Sequence, residues 1–470
     1  MVNQLSELIL KNLGLTPSND QIKAASYFSE LVANEKLKRG TFVLKGYAGT
    51  GKTSLIGAVV KTLKKLDINY QLLAPTGRAA KVMASYSNDS ASTIHRHIYK
   101  ANKNGNSSLL FDSRVNKESD TVYIIDEASM ITDRGENGRN LLGDLIEFVF
   151  GSGKNNSNKL ILIGDVAQLP PVGQMLSPAL DVEVLRSVYK LNAADVILST
   201  VHRQLNNSGI LYNATSLRAN LDGQNNTVSF TVDNYKDIYR IGEKKLFDCL
   251  RYSYKKFGAE NTVLLARSNK RTVLLNQLVR KYIKGFNDEL VAGDSLMVVK
   301  NNYTLLHSDD DFIANGDFLQ VQSVSEAVER FGFRFMRVGV KLEGSKVLNT
   351  WVMLDCLNSA DSGLSAEKQR QLTNAIYDHY ARIYDDSADV WKQVKSNPFY
   401  NALQTKYAYA LTCHKSQGGQ WECVIIDFPY APVIESEYLR WLYTALTRSV
   451  KELYLLNFPE TFFTSMKTAA

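Results

Sequence analysis

The sequence predicts an α/β fold of two doubly wound units, with parallel sheets flanked by helices and an inserted β module in the second unit. Three observations lead there. Short, unbroken apolar runs of strand length recur along the chain, each closed by small or polar residues. The runs fall into two sets, one ending near residue 163 and one beginning near residue 262. Strand formers and turn formers dominate the stretch that separates members of the second set. At 470 residues the chain is also too long for one ordinary hydrophobic core.

The first set opens with Thr41-Phe42-Val43-Leu44, which runs into a glycine-rich loop. Beyond the loop, Leu55, Ile56, Val59, Val60 and Leu63 recur at the spacing of one helix face, predicting a helix from Ser54 to Leu66. Gln71 to Ala74, Thr121 to Ile125 and Lys159 to Ile163 read as further buried parallel strands. An insertion from Tyr99 to Asp120 interrupts this unit. Its Asn104-Gly105-Asn106, flanked by lysines, fits a protruding hairpin, with a surface loop as the rival reading.

The second set comprises Thr262 to Ala266, Glu422 to Ile426 and Leu453 to Leu456, with a helix from Lys270 to Ile283. Gly293 to Leu354, which holds the tight-turn signal Asn315-Gly316-Asp317, predicts a small barrel-like module. Ser365 to Asn397 is tyrosine-rich and helical, with Pro398 as its stop. The expected domains are residues 1–180, with a hairpin at 99–120, then 181–292 and 401–470 as the two parts of the second unit. Residues 293–400 form the insert.

Hydrophobic content of 44% and charged content of 22% are those of an ordinary globular protein. A net charge of +7 tolerates a polyanionic partner without requiring one. Cys249, Cys356, Cys413 and Cys423 form no CxxC pair and no cluster with histidine, which argues against a disulfide framework or a zinc site. No stretch has the apolar length of a membrane span, and the N-terminal segment, with Glu7, lacks the basic start and apolar core of a signal peptide. The expectation is a soluble, cytoplasmic protein without a membrane partner.

Gly46-Tyr47-Ala48-Gly49-Thr50-Gly51-Lys52-Thr53 fits G-x-x-x-x-G-K-[ST] between a predicted strand and a predicted helix. Gly46, Ala48, Gly49, Thr50 and Gly51 would curl around phosphate oxygens, and Lys52, Thr53 and Ser54 begin the helix whose N-terminus faces them. Lys52 would bridge the β- and γ-phosphates of ATP, and the Thr53 hydroxyl would hold Mg²⁺. The strand Val122 to Ile125 delivers two carboxylates. Asp126 would coordinate Mg²⁺ through water, and Glu127 would take a proton from the attacking water. An acidic pair after a strand is usually a helix cap, but its pairing with the glycine loop favours the chemical reading.

Further elements follow in order. They are Leu73-Ala74-Pro75-Thr76-Gly77-Arg78-Ala79-Ala80-Lys81, Ser92-Thr93-Ile94-His95 and Gly164-Asp165-Val166-Ala167-Gln168-Leu169-Pro170-Pro171-Val172. Val201-His202-Arg203, Thr412-Cys413-His414-Lys415-Ser416-Gln417-Gly418 and Tyr443-Thr444-Ala445-Leu446-Thr447-Arg448 complete the set. Together they resemble the motifs of superfamily 1 helicases, specifically the RecD/Dda-like branch, across nearly the whole chain. The resemblance implies two RecA-like P-loop domains with an inserted SH3-like module.

It also implies roles. Gln168 would contact the γ-phosphate or the attacking water, Gln21 would read adenine, and Gly418 would join the nucleotide site. Arg203 and Arg448 would supply charge to the transition state from the second unit as a cleft closes. Pro75, Thr76, Thr93 and His95 on the first unit, and Thr412, His414 and Lys415 on the second, would hold the strand. For His95 a buried structural role is the rival. Tyr99, Leu109, Leu110 and Phe111 are the stacking candidates of a strand-separating pin.

The implied substrates are single-stranded and forked duplex DNA, with 5′→3′ movement by a monomeric motor. Single-stranded-DNA-binding, replication or repair proteins are the implied company. Two alternatives stay open: an RNA-directed motor of the same superfamily, and an ATPase that remodels complexes without separating strands.

Overall fold

The computed structural model describes residues 2–101, 111–134, 140–151, 157–201, 207–302, 304–306, 312–342 and 347–464. The chain divides into two compact units. The first comprises Met1–Tyr99, Ser113–Ile241 and Ser416–Ala470; the second comprises Lys100–Asp112 and Gly242–Lys415.

In chain order the first strands are β1 (Gly40–Gly46), β2 (Tyr70–Ala74) and β3 (Ser92–Thr93). A short ribbon of β4 (Tyr99–Ala101) and β5 (Phe111–Ser113) follows within the expected insertion. Then come β6 (Val122–Ile125), β7 (Lys159–Gly164), β8 (Asn192–Leu198) and β9 (Ile238–Ile241). Six of these form one sheet in the order β3-β2-β6-β7-β1-β8, with every pair parallel.

The four apolar runs before residue 180 are β1, β2, β6 and β7, and β6 and β7 are buried along their whole length. The helix Lys52–Lys65 turns Leu55, Ile56, Val59, Val60 and Leu63 into the core, as its spacing predicts. There they meet Leu5, Ile9 and Leu13 of the helix Val2–Leu13 and Phe28 of the helix Asn19–Ala33. Strand β8 escapes the apolar-run criterion because it is a sheet edge, and its residues Asp195 and Ile197 are not buried. The tip of the insertion, residues 102–110 with Leu109 and Leu110, lies outside the described residues.

The second unit carries β10 (Thr262–Ala266), the helix Asn269–Val279 and a wider turn of helix, Arg280–Lys284. Five strands then close a barrel: β11 (Ser295–Val298), β12 (Phe318–Arg330), β13 (Phe333–Leu342), β14 (Val347–Met353) and β15 (Leu403–Tyr407). The predicted tight turn leads into β12, where Gly316 takes φ +94° and donates its N–H to Val298 O at 2.8 Å.

Helices Ala366–Ala381 and Ser387–Ser396 cover the barrel through Leu372, Ile376, Val390 and Val394, packed with Phe333, Phe335 and Met353. Strand β16 (Ala410–Thr412) pairs parallel with β10. In the first unit β17 (Trp421–Asp427), β18 (Ser449–Leu456) and β9 run parallel side by side. Parallel sheets flanked by helices and a small closed barrel are therefore both present. All four cysteines are buried thiols, and no helix among the described residues is long and apolar enough to cross a membrane.

The entry to the barrel is fixed by an ion pair. Asp294, fully buried, accepts Arg280 Nε and Nη2 at 2.8 Å each, the Tyr409 hydroxyl at 2.9 Å and Val291 N–H at 3.0 Å. Asp294→Ala strands a buried guanidinium, so it should cost about 3–5 kcal/mol of stability. The shift in the urea unfolding midpoint measures this; a loss well under about 1 kcal/mol would mean that water replaces the carboxylate.

Candidate nucleotide site and strand-facing residues

The carboxyl ends of β1, β6 and β7 lie at one edge because the register aligns Leu44 with Ile163 and Ile125 with Leu162. All three strands therefore end at the same edge: β6 stops level with Leu162 before Asp126, and β7 and β1 run two and three residues further before Asp165 and the loop after Gly46. Open parallel sheets place ligand sites at this edge.

The loop turns through Gly49 at φ +78° and Gly51 at φ +83°, a region that side chains disfavour. At Gly49 a β-carbon would also stand 2.8 Å from Leu211 Cδ1. Lys52 Nζ donates to Gly46 O at 2.6 Å and Tyr47 O at 2.9 Å, so its ammonium lies folded back over the loop. Thr50 is buried and donates its hydroxyl to Tyr47 O at 2.8 Å, while Thr53 and Ser54 are exposed at the helix start.

Asp126 Oδ2 accepts the Tyr86 hydroxyl at 2.7 Å, and Asp126 Oδ1 accepts Glu127 N–H at 2.8 Å. Glu127 takes a left-handed φ of +53°, which costs a non-glycine residue roughly 1 kcal/mol. Burial pushes its carboxyl above the usual range, against the pull of Arg448. Arg448 Nη1 lies 4.0 Å from Glu127 Oε1. Its guanidinium is buried and donates to Thr444 O, Gly419 O and Thr447 Oγ1 at 3.1, 3.2 and 3.3 Å. Arg448 and Glu127 belong to the same compact unit.

Asp165 is buried and 3.9 Å from Lys52 Nζ. The loop it opens is gripped from several sides. Leu169 N–H donates to Thr444 Oγ1 at 2.8 Å, Gln417 Nε2 donates to Leu169 O at 2.7 Å, and Arg440 Nη1 donates to Val166 O. Gln168 is buried in that loop, with Oε1 lacking a protein partner. A buried amide oxygen in that state is costly unless something fills the site.

Of the sequence candidates, Lys52, Asp126, Glu127, Gln168 and Arg448 thus all stand in the first unit, on or beside one sheet edge. Gln21 is buried in a capping box: its Oε1 accepts Ser18 N–H at 3.1 Å and its own N–H donates to Ser18 Oγ at 3.2 Å. Gly418, at φ +71°, has Thr76 and Ala79 as its close neighbours. Arg203 lies outside the described residues. Sequence reasoning assigned no role to Tyr86, Asp165, Arg440, Tyr443 or Thr444. Four of these stand in or beside the motifs, but a motif does not reveal which side chain bonds to which loop.

Of the strand-facing candidates, Pro75 and Thr76 follow β2 while Thr93 ends β3, and Ala74 is in register with Thr93. Thr76 and Thr93 each cap a helix, accepting Ala79 N–H and Arg96 N–H at 3.2 Å. His95 is half-buried, and burial lowers its pKa from 6.5 to about 4. In the second unit, Thr412 ends β16 and its Oγ1 accepts Lys415 N–H at 3.4 Å; His414 stands between them in a one-turn helix. Lys415 Nζ donates to Asn315 Oδ1, in the barrel's tight turn, at 2.9 Å. One pin expectation is corrected. Tyr99 is buried and donates its hydroxyl to Asp144 Oδ2 at 2.6 Å, so its ring is not free to stack on a base.

A glycine loop after β1, a paired acid after β6 and a glutamine loop after β7 define a P-loop nucleotide-binding protein. Comparison with known families narrows this. Residues 30–242 match the model described as AAA domain, and residues 407–456 match the UvrD-like helicase C-terminal domain. An uncharacterised protein of Methanocaldococcus jannaschii is 26% identical over 93% of this chain and 39% of its own length. The ATP-dependent RecD2 DNA helicase of Deinococcus radiodurans is 28% identical over 34% of this chain and 21% of its own. The chain thus spans less than half the length of either relative. A Pif1 helicase from Bacteroides, solved with ADP-AlF3 and ssDNA, is 16% identical with a TM-score of 0.47, over 96% of this chain and 95% of that one. In its two matched segments the chain is similar to helicases of the RecD type.

The His95 environment sets a sign for pH. Below about pH 6.5 the unfolded chain takes up a proton that the folded site accepts only near pH 4. Stability from this group is therefore complete above pH 6.5 and falls as the pH drops toward 4. Thermal melts at pH 7 and pH 5 should show a smaller fall in Tm for His95→Phe than for the parent chain; an equal fall would place the histidine in water.

Proposed function

We propose that the protein is an ATP-driven motor on single-stranded DNA, a helicase that couples hydrolysis to duplex unwinding and moves 5′→3′. One observation carries the reading. Lys52, the Asp126–Glu127 pair, Gln168 and Arg448 converge at one sheet edge, the parts list of phosphoryl transfer to water.

The residues fit ATP and Mg²⁺. The glycine loop leaves room for phosphates, and Lys52 can trade its carbonyl partners for phosphate oxygens. Thr53 and Asp126 would hold the ion, which would neutralise phosphate charge. Glu127, whose proton affinity burial raises, suits a general base for water, and Arg448 stands ready to meet charge that develops beside it. Gln168 would orient the water.

Two strand-facing sets support action on a nucleic acid: Pro75, Thr76, Thr93 and His95 in one unit, Thr412, His414 and Lys415 in the other. Threonine hydroxyls and one lysine suit phosphate oxygens, which every sequence presents. The name of the RecD2 relative, an ATP-dependent DNA helicase, supports the choice of DNA.

Lys52→Ala should abolish ATP hydrolysis and leave binding of an oligo(dT) strand within about threefold. Persistent turnover would remove Lys52 from the site. Arg448→Ala should retain nucleotide binding and lower kcat by about 10³-fold, the low end for a transition-state arginine; an unchanged kcat would make the arginine structural. ATPase stimulated by poly(dT) but not poly(U) decides for DNA. Strand release from duplexes tailed at 5′ or 3′ decides both unwinding and polarity.

A further inference from the structure

One buried hydroxyl joins the phosphate loop to the loop that carries Gln168. Tyr443 lies on the helix Ser436–Leu446 and is 1% exposed. Its hydroxyl oxygen accepts Ala48 N–H at 2.8 Å, and its proton is donated to Asp165 Oδ2 at 2.8 Å. The other oxygen of Asp165 accepts Ala167 N–H at 2.9 Å. Burial raises the Tyr443 hydroxyl well above its ordinary value, so it keeps the proton it donates.

The bond pattern has a consequence for Lys52. Asp165 is buried, and a buried carboxylate must find donors or a cation. Lys52 Nζ, 3.9 Å away, is outside hydrogen-bond range, and its bonds go to Gly46 O and Tyr47 O instead. The Tyr443 proton supplies the donor that Asp165 would otherwise draw from Lys52. Neutral carbonyls are weak competitors for an ammonium, and phosphates can displace them; a buried carboxylate is a strong one.

We propose that Tyr443 is a positioning residue of ATP hydrolysis, whose hydroxyl satisfies Asp165 and anchors Ala48 so that Lys52 stays available to the phosphates. The proposal rests on the ATPase reading above and deepens it. Tyr443 touches no reacting atom. It acts through Lys52, and it also ties the phosphate loop to the helix that ends just before Arg448.

The test is a mutant cycle read as ATPase kinetics on the full chain with poly(dT). Tyr443→Phe keeps the ring and removes the hydroxyl; kcat should fall tenfold or more as Asp165 captures Lys52. Adding Asp165→Asn removes the capturing charge, so Y443F/D165N should regain at least fivefold over Y443F. This double variant also gives a reading where Y443F alone fails to melt cooperatively, because it lacks the unsatisfied carboxylate. A folded double variant as slow as Y443F, or slower, overturns the proposal.

Tyr409→Phe is the control. That buried hydroxyl likewise donates to a carboxylate, Asp294, and accepts a backbone amide, Ser295 N–H, but in the second unit. It should lower Tm and leave basal kcat unchanged. Equal kcat losses in Y409F and Y443F would reduce Tyr443 to a structural part and overturn the proposal. A parent chain with no turnover would instead remove the ATPase reading itself, a result distinct from all of these.

Discussion

The site depends on how negative charge is held at one sheet edge. Parallel register brings Asp126, Glu127 and Asp165 to the same edge, and two unit charges 4 Å apart repel by about 4 kcal/mol at the effective dielectric of a protein surface. Such a cluster is tolerable only with compensation. Tyr86 and an amide serve Asp126, Tyr443 and an amide serve Asp165, and Arg448 faces Glu127. The donors are fixed by packing before any substrate arrives. Little reorganisation would then remain for phosphates entering the site, which is the condition for strong electrostatic catalysis.

The same donors make the site a mechanical junction. The loop Asp165–Leu169 is held by Gln417, Arg440, Tyr443 and Thr444, three of them on one helix. A shift of that loop cannot be absorbed locally, because close-packed, hydrogen-bonded elements move as bodies. Neighbouring contacts extend the junction toward Thr76. Arg78 lies 3.8 Å over the Trp421 ring and donates to Gln420 O, while Gly418 abuts Thr76 closely enough that a β-carbon would stand 3.0 Å from Thr76 Oγ1. The path from the Asp165–Leu169 loop through Gln417 and Gly418 to Thr76 is therefore short.

The apolar runs gave β1, β2, β6, β7, β10, β17 and β18 because strands buried on both faces leave an unmistakable hydrophobic block. The barrel was legible from turn chemistry, with Gly316 at a position that needs positive φ. Edge strand β8 and the two-residue β3 were not, since an edge carries polar residues and a two-residue strand has no period. Of the candidate site, the placement of Lys52, Asp126 and Glu127 at strand ends was legible because such chemistry demands those types in sequence. Tyr443 was not, because a buried hydroxyl is chosen by partners far along the chain. Tyr99 was misread for the same reason: an aromatic ring in an insertion looks exposed until Asp144 is known to lie beside its hydroxyl.

Thr76, proposed to face the strand, shows why a helix-cap role and a binding role need not exclude each other. A threonine hydroxyl has two acceptor lone pairs and one proton. Thr76 and Thr93 spend a lone pair each on a backbone amide, which fixes the oxygen in place; partly exposed Thr76 keeps a proton to give outward, while Thr93 is buried. A phosphodiester oxygen only accepts, so it takes what the cap leaves over. Asparagine or aspartate would cap the same helices as well, yet aspartate would repel the phosphate and asparagine would face two ways. A threonine at position 76 would therefore fit a grip on the backbone of a nucleic acid, independent of its sequence and held at constant geometry by the helix it caps, whereas Thr93 is buried.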